Sequence, residues 1–309
     1  DDTFLQAQDL EKNRMYLVEQ DRHQTLLKAL EGTRIQAQAA GSCANTMLGL
    51  AQLGARVAYC GKVGDDEYGR LYSDQMAAAG VRSFVQAGQH LTGSTVILVT
   101  PDASRTMNTY LGACQDLGPE DLPLEALKQA RLLYVTGYLW DTPRQQAAVE
   151  LALQTAKDNG IPVAMSLSDP FCVNRHKTDF QRIIKAYVQI VFANREEALA
   201  LTDSEFSQEA MHGLLDLCAS AVVTLGGSGA LVNLNRDKTV YLDALPVQAV
   251  DTTGAGDAFA SGFLYGLAHD YSPLQCGHLG TQFAAAVIEQ IGPRLSGYVR
   301  ERLASALHD

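Results

Sequence analysis

An α/β protein with a mostly parallel central sheet and a small β-sheet lid is what this sequence predicts, on three observations. Across residues 132–192, apolar β-like runs alternate with helical patterns, the mark of buried parallel strands bridged by helices. Residues 93–99 and 105–110 are β-rich and flank Pro101-Asp102-Ala103-Ser104, a turn composition, so they read as a hairpin. Near the C-terminus the run Val250-Asp251-Thr252-Thr253-Gly254-Ala255-Gly256-Asp257-Ala258-Phe259 ends a β-like stretch, interposes small residues and opens a helix.

Composition bounds the rest. A chain of 309 residues makes one large domain or two, with ample length to bury a core. Hydrophobic residues make up 47% and charged residues 19%, as in a globular protein. No apolar run reaches the length of a membrane span and the polar start lacks a signal-peptide core, so the cytoplasm is the expected location. The six cysteines are scattered with no Cys-x-x-Cys, which reads as free thiols. A net charge of −11 repels nucleic acid, and an anionic nucleotide would then need local neutralisation by backbone amides, an Arg and a metal ion.

Taken in order, residues 1–29 carry two short helical patterns around Met15-Tyr16-Leu17-Val18, and residues 33–39 alternate well enough for an exposed strand beside the hairpin. These segments assign 10–40 and 93–111 to the lid, and 41–92 with 112–309 to the core. Gly41-Ser42-Cys43-Ala44-Asn45-Thr46 caps and opens a helix whose Met47, Leu48, Leu50, Ala51 and Leu53 give a buried face. Residues 56–63 read as a strand and 68–79 as a helix. Strands at 132–136, 161–167 and 188–192 alternate with helices at 143–158 and 177–186, and Trp140, the only Trp, reads as packing. Asn194 and Glu197 share one face at the start of the next helix, a spacing a capping box also produces. Strands at 221–225 and 230–234 enclose Gly226-Gly227-Ser228-Gly229, and an apolar helix at 274–289 follows.

The chemistry concentrates at residues 254–257. Small residues let the N–H groups at a helix start converge on one point carrying the helix's partial positive charge, where an anion fits. Asp257, in the first turn, is placed to take a proton from an attacking hydroxyl. Ordinary helix capping would produce the same short Gly-Ala-Gly-Asp.

The longer run Asp-Thr-Thr-Gly-Ala-Gly-Asp-Ala-Phe resembles the C-terminal signature of the ribokinase (PfkB) family of small-molecule kinases, and Gly61-Lys62-Val63-Gly64-Asp65-Asp66-Glu67-Tyr68-Gly69 is similar to its second signature. Ser168-Asp169-Pro170-Phe171, Gly137-Tyr138-Leu139-Trp140-Asp141 and Arg105-Thr106-Met107-Asn108 look most like its adenosine-kinase-like bacterial branch. The resemblance spans residues 41–292 and implies a ribokinase-like three-layer α/β/α sandwich. It implies transfer of the ATP γ-phosphate to a primary hydroxyl of a sugar or nucleoside, with no nucleic-acid or membrane partner, by a monomer or lid-mediated homodimer. Under it Asp257 is the catalytic base, Gly254, Ala255 and Gly256 form the anion hole, and Arg105 contacts the transferring phosphate. Asn194 and Glu197 organise Mg²⁺ through water, and Thr224, Gly226 and Gly229 belong to the nucleotide loop. Gly41 and Asn45 line the substrate pocket, with Gly61 and Lys62 nearby, while Asp251 and Thr253 hold K⁺ with carbonyls near Gly292. Chains of this kind open with an apolar strand ending in a substrate-binding Asp; none is visible here, so a truncated N-terminus is expected. A non-catalytic sugar- or nucleoside-binding protein on the same fold is the alternative.

Overall fold

The structure, a computed structural model, describes residues 2–12, 14–33, 35–100 and 105–294. The chain begins with α1 (Asp2–Ala7), β1 (Met15–Leu17), α2 (Gln20–Ala29), α3 (Ser42–Gln52), β2 (Ala58–Val63), α4 (Glu67–Ala78) and β3 (Arg82–Ala87). There follow β4 (Ser94–Val99), β5 (Arg105–Tyr110), α5 (Leu124–Leu127), β6 (Leu133–Thr136), α6 (Pro143–Asp158), β7 (Val163–Ser166), α7 (Pro170–Tyr187), β8 (Ile190–Asn194) and α8 (Arg195–Thr202). The last are α9 (Ser207–Leu217), β9 (Ser220–Thr224), β10 (Ala230–Asn233), β11 (Val240–Leu242), α10 (Ala255–Ala268) and α11 (Pro273–Ile288).

A six-stranded sheet in the order β11-β10-β9-β8-β7-β6 forms the core, parallel from β6 to β9 and antiparallel from β9 to β11. Successive side chains on a strand face opposite ways, and these strands are buried on both faces. Val163 and Met165 of β7 pack with Phe180, Ile183 and Leu153 from α6 and α7, whereas Ala164 packs with Phe259 and Phe263 of α10. Helices α6 to α9 cover one face and α3, α10 and α11 the other, giving three layers. Trp140 is a packing residue, edge-on to Phe180, with its indole N–H donating to Asp179. Among the described residues, no helix is long and apolar enough to cross a membrane.

Strands β2 and β3 form a separate parallel pair. Both β6 and β2 are edge strands, α3 packs on both, and no described strand pairs with both.

The third sheet, in the order β1-β5-β4, is the lid. Its hairpin pairs as expected, Val99 with Arg105 through Ser94 with Tyr110, and the expected turn at 101–104 lies outside the described residues. Two expectations are corrected. Residues 33–39 form no strand over their described part; Gln and Ala have little β propensity, and the segment crosses to the core, where the Ala39 amide donates to Gln75 and its carbonyl accepts from Arg294. The third lid strand is instead Met15–Leu17, parallel to β5, where helical patterns were read; three residues are too few to display a period. One lid face, with Tyr16 and Leu98, packs on Leu5, Leu10 and Leu26 of the N-terminal segments. The other carries Met15, Leu17, Ile97, Val99 and Met107 toward the main cavity. The helix expected at 177–186 is present, preceded within α7 by helical turns that begin at Pro170 under the Asp169 cap and meet it at a kink at His176 (φ −121°), and β3, α9 and β11 were not anticipated.

Candidate active site

The C-terminal ends of β6 to β9, the start of α3, the start of α10 and the inner lid face surround one cavity of about 1970 Å³. This is where an open α/β sheet binds ligands, because helix N-termini and loop amides face it.

Gly254 sets the geometry of the α10 start. It has φ +77°, and a Cβ built there would lie 2.5 Å from the Cβ of Pro293, so any side chain would be both strained and blocked. The Ala255 amide donates to the Thr252 carbonyl at 3.2 Å, while the first-turn N–H groups of Gly256 and Asp257 have no preceding helical carbonyl to bond. Nothing lies within 4 Å of a Cβ position on Gly256.

Asp257 is held from α3. Ser42 Oγ donates to its Oδ1 at 2.7 Å and Asn45 Nδ2 donates to its Oδ2 at 2.8 Å. Positions 42 and 45 are three apart on a helix, so one helix face presents both donors. Gly41 opens that helix with φ +121°, and its carbonyl accepts from the Asn45 amide. Ser261 Oγ bonds the carbonyls of Asp257 and Thr46, locking α3 against α10. Burial pushes the Asp257 carboxyl up to about 6, against the pull of the Ser42 and Asn45 hydrogen bonds. Asn45, expected to meet substrate, thus gives its amide to the base, and its buried Oδ1 lacks a partner among the described residues. Ser42 was read as a cap; only the approach of α10 reveals its role.

Asn194 and Glu197 form a capping box at the start of α8. Asn194 Oδ1 accepts from the Glu197 amide at 2.8 Å, and the Glu197 carboxylate accepts from the Asn194 amide at 3.0 Å and side chain at 2.6 Å. Burial pushes Glu197 up to about 7, and the charges of Asp169, Glu196 and Asp257 add to the rise despite the Asn194 amide. The cavity floor is therefore an acidic field. Asp169, from the Ser168-Asp169-Pro170-Phe171 segment, has an Oδ1 that caps α7 at the Cys172 amide and belongs to this field, a role not assigned to it from the sequence. The residue before it, Ser168, has φ +79°, an uncommon conformation for a side-chain-bearing residue.

Thr224 and Gly226 line the same cavity at the end of β9, and no atom comes within 4 Å of a Cβ position on Gly226 or Gly227. Gly229 is away from the cavity lining; its Cβ would fall 1.9 Å from the Leu242 carbonyl oxygen, so its smallness lets the β9–β10 turn pass against the end of β11. Gly61 and Lys62 line the cavity too, and Lys62 pairs with buried Asp121 at 2.9 Å.

Arg105 reaches from the first residue of β5 to the loop before α10. Its Nη1 pairs with Asp251 Oδ1 and donates to Thr253 Oγ1 at 3.4 Å, and its Nη2 donates to the Val250 carbonyl at 3.0 Å. Asp251 Oδ1 also accepts from the Thr253 amide, and Oδ2 from the Gly292 amide, each at 2.8 Å. Burial would raise the Asp251 carboxyl, but the bonds from Thr253 and Gly292 and the Arg105 charge carry it below the usual range. The guanidinium fork is thus engaged with the residues expected to hold K⁺.

Comparison with known proteins bears on the family and the fold. Residues 11–298 match the pfkB family carbohydrate kinase pattern. The crystal structure of a probable sugar kinase from Rhizobium etli superposes with a TM-score of 0.90 at 39% identity, covering 99% of this chain and 93% of that one. The adenosine kinase of Sinorhizobium meliloti gives 0.88 at 40% identity, covering 100% and 94%. Adenosine kinase of Saccharomyces cerevisiae is 31% identical over 275 residues, 82% of this chain and 79% of that protein. With a match across nearly its whole length and a fold shared with these kinases, the chain belongs to the pfkB family of carbohydrate kinases.

Proposed function

We propose that this chain transfers the γ-phosphoryl group of ATP to a primary hydroxyl of a sugar or nucleoside, with Asp257 as general base. The observation that carries the reading is the Asp257 carboxylate, raised to about 6 and held by Ser42 and Asn45 in the first turn of α10, on the lining of the large cavity. Phosphoryl transfer needs mainly positioning and charge stabilisation, so a base beside a helix N-terminus supplies what the reaction asks. Asp257 takes the hydroxyl proton as the oxygen attacks, and a proton affinity near 6 leaves it ionised at neutral pH yet basic enough to accept. The first-turn amides of Gly256 and Asp257, which have no preceding helical carbonyl to bond, stabilise the charge that develops on the transferred group, whereas the Ala255 amide, expected in the anion hole, is engaged by Thr252; the open loop at Thr224 and Gly226 admits the nucleotide.

Among the described residues, no three His, Cys, Asp or Glu side chains gather as a metal cage. The acidic field of Glu197, Asp169 and Asp257 suits instead a hydrated divalent ion, since Mg²⁺ keeps most of its waters. Asn194 and Glu197 would hold Mg²⁺ through those waters, and the ion would neutralise phosphate charge.

The lid favours a nucleoside over a simple sugar. Its cavity face offers Met15, Leu17, Ile97, Val99 and Met107, which an aromatic base can cover and a ring of hydroxyls cannot. ADP release measured over adenosine, inosine, ribose and fructose tests both levels. Turnover is expected, with the nucleosides preferred. Saturable binding of a panel member without ADP release would overturn the kinase reading, and preference for ribose or fructose would overturn the nucleoside one.

A further inference from the structure

We propose that Arg105 is the built-in cation of the loop before α10, a positioning residue that fills the oxygen cluster around Asp251 and pins the lid to the anion hole, so that no monovalent metal ion is required there. The cluster consists of a buried carboxylate oxygen of Asp251, the Thr253 hydroxyl and the Val250 carbonyl. Three oxygens of this kind, one charged, are what an alkali cation would take. Here a guanidinium takes all three, with its planar fork bonding two groups through Nη1 and a third through Nη2.

The remaining valences of Asp251 tie the loop itself. Oδ1 accepts from the Thr253 amide and Oδ2 from the Gly292 amide, which fixes the segment that delivers Gly254 to its φ of +77°. Asp251 is thus the junction of three segments: the first residue of β5 in the lid, the loop bearing the anion hole, and the chain following α11. The pair is shielded, with the Asp251 side chain 6% and the Arg105 side chain 20% exposed, so its Coulomb attraction is little weakened by salt. Removing Arg105 would leave a buried carboxylate without its cation, a state that an added small ion can relieve.

The test uses the full chain and two readouts. In thermal unfolding, wild type is expected to melt at the same temperature in K⁺ and in tetramethylammonium at equal ionic strength. Arg105→Ala is expected to melt several degrees lower and to recover about 2 °C or more on exchange of tetramethylammonium for K⁺. The double variant Arg105→Ala with Asp251→Asn is expected to lose that K⁺ response. In the kinase assay, an arm that rests on the proposed function, Arg105→Ala is expected to lose roughly tenfold in kcat, more than it changes KM, with partial rescue by K⁺ but not by tetramethylammonium. Wild type stabilised or activated by K⁺ over tetramethylammonium would overturn the proposal, as would Arg105→Ala indifferent to K⁺ in melting. Because melting needs no substrate, a failed kinase reading leaves that arm decisive.

Discussion

Asp257 carries opposite consequences for activity and for stability. Its carboxyl is raised in the folded protein to about 6, so folding favours the protonated form. The cost of holding the ionised form is full above about pH 6 and absent below the unfolded carboxyl range, which means the native state loses stability as pH rises through that window. Catalysis runs the other way, since the base works only when ionised. The expected outcome is a kcat that falls as pH drops through about 6, visible in a pH-rate profile. Asp257→Asn is expected to lose roughly 10²-fold or more in kcat. The same variant should melt about 2–4 °C above wild type at pH 8, a gain that fades below pH 6. Near-normal turnover in the folded variant would remove Asp257 from the role of base. Glu197, raised to about 7, should show Mg²⁺ affinity that grows as pH rises through that value, and Glu197→Gln should weaken the Mg²⁺ dependence more than the substrate KM. An unchanged Mg²⁺ titration would leave Glu197 with its capping box alone.

At the level of elements, the start of α10 and the inner lid face bear the function. Gly254→Ala would put a methyl in the left-handed region and against Pro293, a strain of roughly 1–3 kcal/mol before the neighbours shift. Lower melting together with a fall in kcat, through a displaced Gly256 amide, is expected; unchanged kinetics would separate this turn from catalysis. On the lid, Met107 lies at the centre of the apolar face, paired with Ile97 on one side and Met15 on the other. Met107→Ser removes apolar cover without touching the base, and about a tenfold rise in KM for a nucleoside, with kcat little changed, is the expected result. An equal rise for ribose would mean that the face does not read the base.

Across the whole molecule, the sheets should differ in stability. In the six-stranded sheet β7, β8 and β9 are paired on both sides and buried on both faces, whereas β2 and β3 stand as a pair with one neighbour each. Two strands alone are marginal, so the β2–β3 unit leans on α3 and α4 for its order. Amide hydrogen exchange is expected to be slowest in β8 and β9 and measurably faster in β2 and β3, through openings short of global unfolding. Equal protection throughout would mean that the two sheets open as one unit.

The α/β alternation, the hairpin and the helix that opens at Ala255 were legible in the sequence because each rests on local information: apolar period, turn composition, and small residues before a helix. The Pro143–Asp158 helix was read to its last residue, since Thr142, Pro143 and a regular apolar face all mark it. The third lid strand was not legible. Met15-Tyr16-Leu17 becomes a strand only because β5 offers it an edge, and the described residues of 33–39, which alternate in sequence, pair with no strand. The site divides in the same way. Asp257 and its glycines announce themselves within one short run. That Ser42 and Asn45 hold its carboxylate, or that Arg105 crosses to Asp251, depends on segments separated by 146 to 215 residues meeting in space. Local sequence determined which groups could do the chemistry; tertiary packing decided which partners they would meet, because hydrogen bonds and buried charges are satisfied by proximity in the fold and leave no period along the chain.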